Sequence, residues 1–173
     1  MITHRLKNEI MKRIMFAVVC VVALLSATGC DDNYDAPQST RNDFYSRYPN
    51  AVDVEWERER GHAVAEFDLP GDSYGCEAWY TLGGEWVLTR FKIRYSDLPE
   101  AVRTSFEQSY GSQTPIDDVE RVERNNAETI YFIEATLVID GILTDIYLDY
   151  DGSGKLLRTA VDYEYYNNIY YYL

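Results

Sequence analysis

The chain has 173 residues, with 29 acidic and 16 basic side chains and a formal net charge of −13 at pH 7. So acidic a protein repels nucleic-acid phosphates and the anionic face of a membrane, which excludes nucleic-acid binding and favours basic or neutral partners. The length allows one domain with a sizeable core or two small fused units.

Residues 1–29 have the pattern of a secretory signal peptide. Lys12 and Arg13 precede an apolar run, residues 14–25, and small residues follow it. The run has 12 residues, whereas a membrane-spanning helix needs about 20. We therefore expect cleavage rather than a retained anchor, with translation starting at Met1 or Met11. The mature chain would carry a net charge of −16.

The residues before Cys30 resemble a bacterial lipobox, although Ala27 stands where leucine is usual. Cys30 is therefore the expected lipidation site, and acyl chains would be the only attachment to the membrane. The acidic pair at 31–32 resembles the surface-export signal of Bacteroidetes lipoproteins. We expect a bacterial outer-membrane lipoprotein, periplasmic or surface-exposed, with residues 30–40 as a polar tether.

Residues 41–93 predict a short helix followed by four strands. Phe44 and Tyr48 share a helical face, and Pro49 ends the helix. Alternating apolar and polar side chains, interrupted by glycine and proline turns, then mark strands. The predicted strands cover residues 52–57, 62–69, 74–80 and 86–93.

Residues 94–162 predict the same order of elements. Val102 and Phe106 lie on one face of a helix that stops at Gly111. Asp140-Gly141 is a strong two-residue hairpin signal. The predicted strands cover residues 119–124, 128–139, 142–149 and 155–162.

The two segments resemble one another. Several residues recur at one offset of 68, among them Glu66 as Glu134 and Trp79 as Tyr147. We therefore predict an α+β fold built as a tandem repeat of two units, each a helix plus a four-stranded antiparallel meander. The helices would cover one face of the sheet. The tail, residues 163–173, holds six of the sixteen tyrosines and is expected to be an edge strand, a flap over the sheet or a partner contact.

Strand alternation assigns side chains to the two faces of the sheet. Facing the helices we expect Ala65, Phe67, Tyr80, Val87, Phe91, Ile133, Ala135, Leu148, Leu157 and Val161. On the open face we expect Glu66, Glu77, Trp79, Trp86, Arg90, Phe132, Glu134, Tyr147 and Arg158, with Asp145 beside them. Exposed aromatic rings among charged groups are typical of recognition surfaces, so these nine residues are the candidate binding site.

The chain lacks the residues of a catalytic or metal site. Cys76 and His62 are the only cysteine and histidine after Cys30, too few for a zinc site or a nucleophilic triad. Residues 149–154 match the opening of a calcium loop, but Ala160 replaces the bidentate glutamate, which favours a plain hairpin turn. We therefore expect no enzyme, no metal and no cofactor.

Several motifs resemble the PepSY-like, β-lactamase-inhibitor-like lipoproteins of Bacteroidetes. They cover about residues 41–162 and include Phe44-x-x-x-Tyr48-Pro49, Ala65-Glu66-Phe67, Glu77-Ala78-Trp79-Tyr80, Asp97-Leu98-Pro99 and Tyr147-Leu148-Asp149. The resemblance implies two helix-plus-four-strand units that share a curved antiparallel sheet. In the streptomycete β-lactamase inhibitor protein, which is similar, the concave sheet face binds an enzyme.

We expect a non-catalytic, inhibitor-like binding module in the cell envelope, whose aromatic sheet face docks a protein such as a secreted hydrolase or peptidase. A glycan-binding surface lipoprotein is the first alternative, since sugars stack on flat aromatic rings edged by carboxylates. The second is a structural envelope protein whose sheet face packs against its own tail.

Overall fold

The computed structural model describes residues 34–71 and 75–161. The described residues lie in one compact unit. The predicted signal peptide, Cys30 and the predicted tail at 163–173 lie outside the described residues. Within the described ranges, no helix combines the length and the apolar character needed to cross a bilayer.

Two helices, a 3₁₀ turn and eight strands make up the described chain. Helix α1 is Gln38–Arg47 and helix α2 is Glu100–Tyr110, with the 3₁₀ turn Tyr95–Asp97 before α2. The strands are β1 (Val52–Glu59), β2 (His62–Asp68), β3 (Cys76–Thr81), β4 (Trp86–Lys92), β5 (Ile116–Arg124), β6 (Ala127–Ile139), β7 (Ile142–Asp151) and β8 (Leu156–Val161).

One antiparallel sheet joins all eight strands in chain order. The predicted tandem repeat of two helix-plus-meander units is therefore wrong as a description of the fold. β4 and β5 pair from Leu88 opposite Arg124 to Lys92 opposite Glu120, so the hydrogen-bond ladder continues from the first half into the second. An unpaired strand edge exposes backbone donors and acceptors, and this pairing removes two such edges. The described residues form an α+β fold of one eight-stranded sheet and two helices.

A β-bulge in β4 breaks the predicted alternation of side chains. Trp79 lies opposite Leu88, but the next residue, Tyr80, lies opposite Trp86, so Val87 is an extra residue. A bulge reverses the facing of the side chains beyond it. Trp86 accordingly packs on the helix side and Val87 on the other side, the reverse of the prediction.

A second bulge lies in β8. Asp149 is opposite Arg158 and Tyr150 is opposite Leu156, which leaves Leu157 as the extra residue. Tyr80 and Tyr150 occupy equivalent positions beside the two bulges and are 70 residues apart. The offset of 68 found between the two halves of the sequence therefore does not hold in these strands.

The helices pack on one face of the sheet. Phe44 of α1 and Phe106 of α2 are each at most 1% exposed and lie in separate clusters on this face. Seven residues predicted to face the helices lie in these clusters and are confirmed: Ala65, Phe67, Tyr80, Phe91, Ile133, Ala135 and Leu148. Leu157 and Val161 do not; they are 45% and 53% exposed.

Two glycine turns press against the helices. Gly84, between β3 and β4, has φ +89°, and a Cβ there would lie 2.9 Å from Thr40 Oγ1 in α1. Gly154, between β7 and β8, has φ +84°, and a Cβ would lie 2.3 Å from the carbonyl oxygen of Ala101 in α2. Only glycine adopts this backbone conformation freely and leaves room for the helix.

Substitution of Gly154 by alanine should destabilise the protein more than the same substitution at Gly141. Gly141 has φ +80° and a Cβ there would meet no neighbouring atom within 4 Å, so Gly141→Ala adds only left-handed strain, about 1–2 kcal/mol. Gly154→Ala adds a clash with helix backbone, which should cost about 2 kcal/mol more. Urea unfolding midpoints measure both losses. Equal losses would contradict the close approach of turn and helix.

Candidate functional site

An apolar cluster lies on the face of the sheet opposite the helices, called the second face from here on. Its members are Val64, Trp79, Leu88, Val122 and Ile130. Trp79 is only 2% exposed, and its indole Nε1 donates to Glu77 Oε2 at 3.3 Å. The expectation of an exposed Trp79 ring is therefore wrong, because the ring packs among the aliphatic side chains of neighbouring strands.

Phe132 and Tyr147, which were also predicted on the open face, are buried as well. The rings of Phe132 and Tyr147 stack with centroids 6.1 Å apart at 23° and are 7% and 5% exposed. Glu134 lies opposite Tyr147 in the ladder. Partial burial raises the pKa of Glu134 and a hydrogen bond from Tyr147 opposes this rise.

Trp86 lies on the helix side of the sheet, as the β4 bulge requires. The Arg47 guanidinium lies 4.4 Å from the centre of the Trp86 ring, a cation–π contact. The indole Nε1 donates to Thr89 Oγ1 at 2.9 Å, and Thr89 is also hydrogen-bonded to the Tyr48 hydroxyl at 2.7 Å. Trp86 therefore joins α1 to the sheet and is not part of a binding surface on the second face.

Charged side chains stand side by side on the second face across β1 to β4. Glu55 lies opposite Glu66, Glu66 opposite Glu77, and Glu77 opposite Arg90. Like charges directly opposite one another destabilise a sheet. Burial, followed by Glu77 and Glu55, raises the pKa of Glu66. The sheet thus holds three carboxylates in a row with one cation at the end.

Arg90, at the end of this row, also forms an ion pair with the buried Glu120 of β5. Arg90 Nε and Nη2 donate to the two Glu120 oxygens at 2.9 and 2.6 Å, and Nη1 donates to Glu77 Oε2 at 3.0 Å. Glu120 is 3% exposed, and burial raises its pKa to about 7 although Arg90 opposes the rise. Arg90 is therefore already engaged by two carboxylates.

These groups line a depression of about 230 Å³, named here the acidic depression. Lys92 also contributes, but its Nζ lies 3.6 Å from Asp118. The lining includes Asp68 and Lys92, the last residues of β2 and β4. The depression therefore lies at one end of the sheet. Its charged residues are Asp53, Glu55, Glu66, Asp68, Glu77 and Glu120, against Arg90 and Lys92. Negative charge dominates the site.

The nine predicted residues do not form one site. Glu66, Glu77 and Arg90 come together in the acidic depression. Phe132, Glu134 and Tyr147 lie on β6 and β7, and Arg158 on β8 pairs with buried Asp149 at 3.2 Å.

The sequence prediction missed four carboxylates of the depression: Asp53, Glu55, Asp68 and Glu120. Glu55 and Asp68 occupy polar positions of the predicted alternation, which could have identified them. Glu120 gave no such signal, because its burial depends on the pairing of β4 with β5.

The described residues contain no group of three histidine, cysteine, aspartate or glutamate side chains that could hold a metal ion. The segment that resembles a calcium loop forms the turn between β7 and β8. Asp151 Oδ1 accepts hydrogen bonds from the backbone of Ser153 at 2.9 Å and of Lys155 at 3.1 Å. The predicted hairpin turn is confirmed, and its carboxylate stabilises that turn.

The pKa of Glu120 predicts a pH dependence of stability. Its pKa is about 7 in the folded protein and 4.5 is its ordinary value. Between these values the folded state binds more protons than the unfolded state, so this group lowers the free energy of unfolding as pH rises. Glu120→Gln removes this titration. The free energy of unfolding of the variant should therefore rise relative to that of the wild type by roughly 3 kcal/mol between pH 5 and pH 8.

Urea unfolding at the two pH values measures this gain. Glu128→Gln, at an exposed residue, is the control for the loss of one carboxylate. A pH-independent difference for Glu120→Gln would contradict the raised pKa.

The family model described as "Putative beta-lactamase-inhibitor-like, PepSY-like" matches residues 71–158, which is 88 of the 173 residues. No curated protein matches the chain.

Three crystal structures from Bacteroides species have the same fold. A DUF2874 family protein from Bacteroides ovatus is 25% identical, with a TM-score of 0.66 over 75% of this chain and 89% of its own. A "putative periplasmic" protein from Bacteroides eggerthii is 23% identical, with a TM-score of 0.68 over 79% and 96%. A BLIP-like protein from Bacteroides fragilis is 24% identical, with a TM-score of 0.65 over 75% and 88%.

The family match covers more than half of the chain and includes β3, the whole of α2 and the first half of β8. It confirms the resemblance found in the sequence motifs. The chain belongs to the PepSY-like, beta-lactamase-inhibitor-like family.

Proposed function

We propose that the protein is a non-catalytic binding module of the cell envelope, which docks a protein partner through the acidic depression. The observation that carries the proposal is the excess of carboxylates around this concave site, six against two cations. The family description, beta-lactamase-inhibitor-like, supports an inhibitor-like module rather than an enzyme. The BLIP-like neighbour supports protein–protein interaction in general.

The electrostatics favour a cationic ligand. The two cations in the lining are held by carboxylates: Arg90 by Glu77 and Glu120, and Lys92 by Asp118. Glu55 and Glu66 stand next to each other on exposed positions of β1 and β2. A positive charge placed between them would relieve their repulsion and lower the raised pKa of Glu66.

The size of the site favours side chains of a protein over a free small molecule. Pockets for drug-sized ligands have volumes of about 300–1,000 Å³, whereas the acidic depression has about 230 Å³. That volume suits one or two lysine or arginine side chains that project from a partner's loop. Arginine is especially suited, because its planar fork donates to two carboxylate oxygens at once.

The sequence and one relative support the proposed location. The signal-peptide pattern and the lipobox at Cys30 support an outer-membrane lipoprotein, periplasmic or surface-exposed. The Bacteroides eggerthii neighbour is described as periplasmic, which supports an envelope location. A partner in this compartment would be a secreted or envelope protein, such as a hydrolase or peptidase.

The burial of the aromatic rings argues against a glycan-binding function. A sugar stacks on the flat face of an accessible ring, but Trp79, Phe132 and Tyr147 are at most 7% exposed. Alanine substitution of Trp79 would therefore test the packing of the second face rather than ligand binding.

Charge reversal in the depression should weaken binding of basic peptides. Random peptides displayed on phage and selected on the full-length protein should be rich in lysine and arginine. Their affinity should fall about tenfold or more in Glu66→Lys, because the new ammonium group repels them. Glu85→Lys, in the turn between β3 and β4, makes the same change in net charge at the other end of the sheet. It should change the affinity less than about twofold.

Fluorescence anisotropy of the selected peptides measures both affinities. Equal losses in the two variants would mean that net charge alone attracts the peptides, and a selection without basic residues would refute the proposed ligand chemistry.

A further inference from the structure

The β6–β7 hairpin ends in four aliphatic side chains that face water. Val138 pairs with Leu143, and Ile139 pairs with Ile142, on either side of the turn Asp140-Gly141. Val138, Ile142 and Leu143 are 69%, 67% and 75% exposed, and Ile139 is 40% exposed. These four residues are named here the apolar tip.

Both faces of the hairpin are apolar at this point. Successive residues of a strand point to opposite faces, so Val138 and Leu143 share one face while Ile139 and Ile142 share the other. The last residue of β6 that packs against the core around α2 is Leu137. Val138, Ile142 and Leu143 therefore gain little packing from the fold, and contiguous exposed apolar residues of this kind are typical of interaction sites.

The charges at the turn indicate a protein rather than a lipid partner. Asp140, at the apex with φ +52°, would enter a bilayer first, and a carboxylate in hydrocarbon is costly. Behind the tip, Thr136 Oγ1 lies 2.7 Å from Asp117 Oδ2 and 3.1 Å from Asp145 Oδ1, so its one hydrogen can be donated to either carboxylate. These carboxylates would be repelled by anionic headgroups.

The same charges disfavour a second copy of this chain. Two apolar tips brought together would also bring together two sets of Asp117, Asp140 and Asp145, on a chain of net charge −13. Like charges facing each other across an interface oppose association. A partner with a basic group beside an apolar recess matches both the aliphatic side chains and the carboxylates.

We propose that the apolar tip is a docking finger that inserts into an apolar recess of a partner protein, with a basic group of the recess beside Asp140. The finger does not depend on ligand binding by the acidic depression. Both features lie at the same end of the sheet, because β2, β4 and β6 end there and β3, β5 and β7 begin there. One partner could therefore contact both.

Site-specific photocrosslinking in cells tests the proposal. A benzophenone amino acid replaces Val138 or Leu143 in the full-length protein, and adducts are identified by mass spectrometry. Leu82, 41% exposed in the turn between β3 and β4, is the matched control at the other end of the sheet. We expect both tip positions to capture the same protein and Leu82 not to capture it. Adducts with lipid, adducts with another copy of this chain, or no adduct would overturn the proposal.

Titration of the purified captured protein completes the test. Val138→Ser with Leu143→Ser should weaken binding about tenfold or more, because apolar contacts at the centre of the interface are lost. Asp140→Lys should also weaken it, whereas Leu82→Ser should change it less than about twofold. Thermal unfolding establishes that each variant is folded.

Equal affinity of the wild type and the tip variants would refute the finger. Loss of binding in Glu66→Lys together with unchanged binding in the tip variants would refute the finger and leave the acidic depression as the docking site. Loss of binding in the tip variants together with unchanged binding in Glu66→Lys would support the finger and refute docking at the acidic depression.

Discussion

Pairing between β4 and β5 turns two meanders into one sheet, and side chains reinforce this seam on both faces. On the second face, Arg90 of β4 holds Glu120 of β5 through two hydrogen bonds. On the helix face, the Arg121 guanidinium lies 4.3 Å from the centre of the Phe91 ring. Loss of Arg90 would leave Glu120 buried without its main cation, which is far more costly than loss of an exposed ion pair. The seam therefore stabilises the sheet and also builds the floor of the acidic depression.

Much of the architecture could be predicted from local patterns, because the core follows the periods of strand and helix. Ala65, Phe67 and Leu148 face the helices as their alternation indicates, and Phe44 and Phe106 anchor the helices. The pattern failed at the two bulges. A bulge depends on how two strands fit together, and no residue near Val87 or Leu157 signals an extra position. The misplaced facing of Trp86 follows directly from this.

The candidate site is lined by carboxylates and not by the predicted aromatic rings, for a physical reason. A large ring gains more from burial than any other side chain, so neighbouring side chains cover Trp79 and Tyr147. Ionised carboxylates lose hydration when buried, and Glu55 and Glu66 accordingly remain accessible. Identification of Glu120 required knowledge of which strand lies next to β4. That contact joins residues distant in sequence, and the alternation of side chains within a strand does not show which strands pair.

The position of the Gly84 turn shows at which end of the sheet the chain enters the domain. Thr40, in the first turn of α1, touches this turn, so the polypeptide enters the domain at the end of the sheet away from the acidic depression and the apolar tip. The 13 residues of β6 span roughly 40 Å at a rise of about 3.3 Å each. The length of β6 thus separates the apolar tip from the end of the sheet at which the chain enters the described part of the domain.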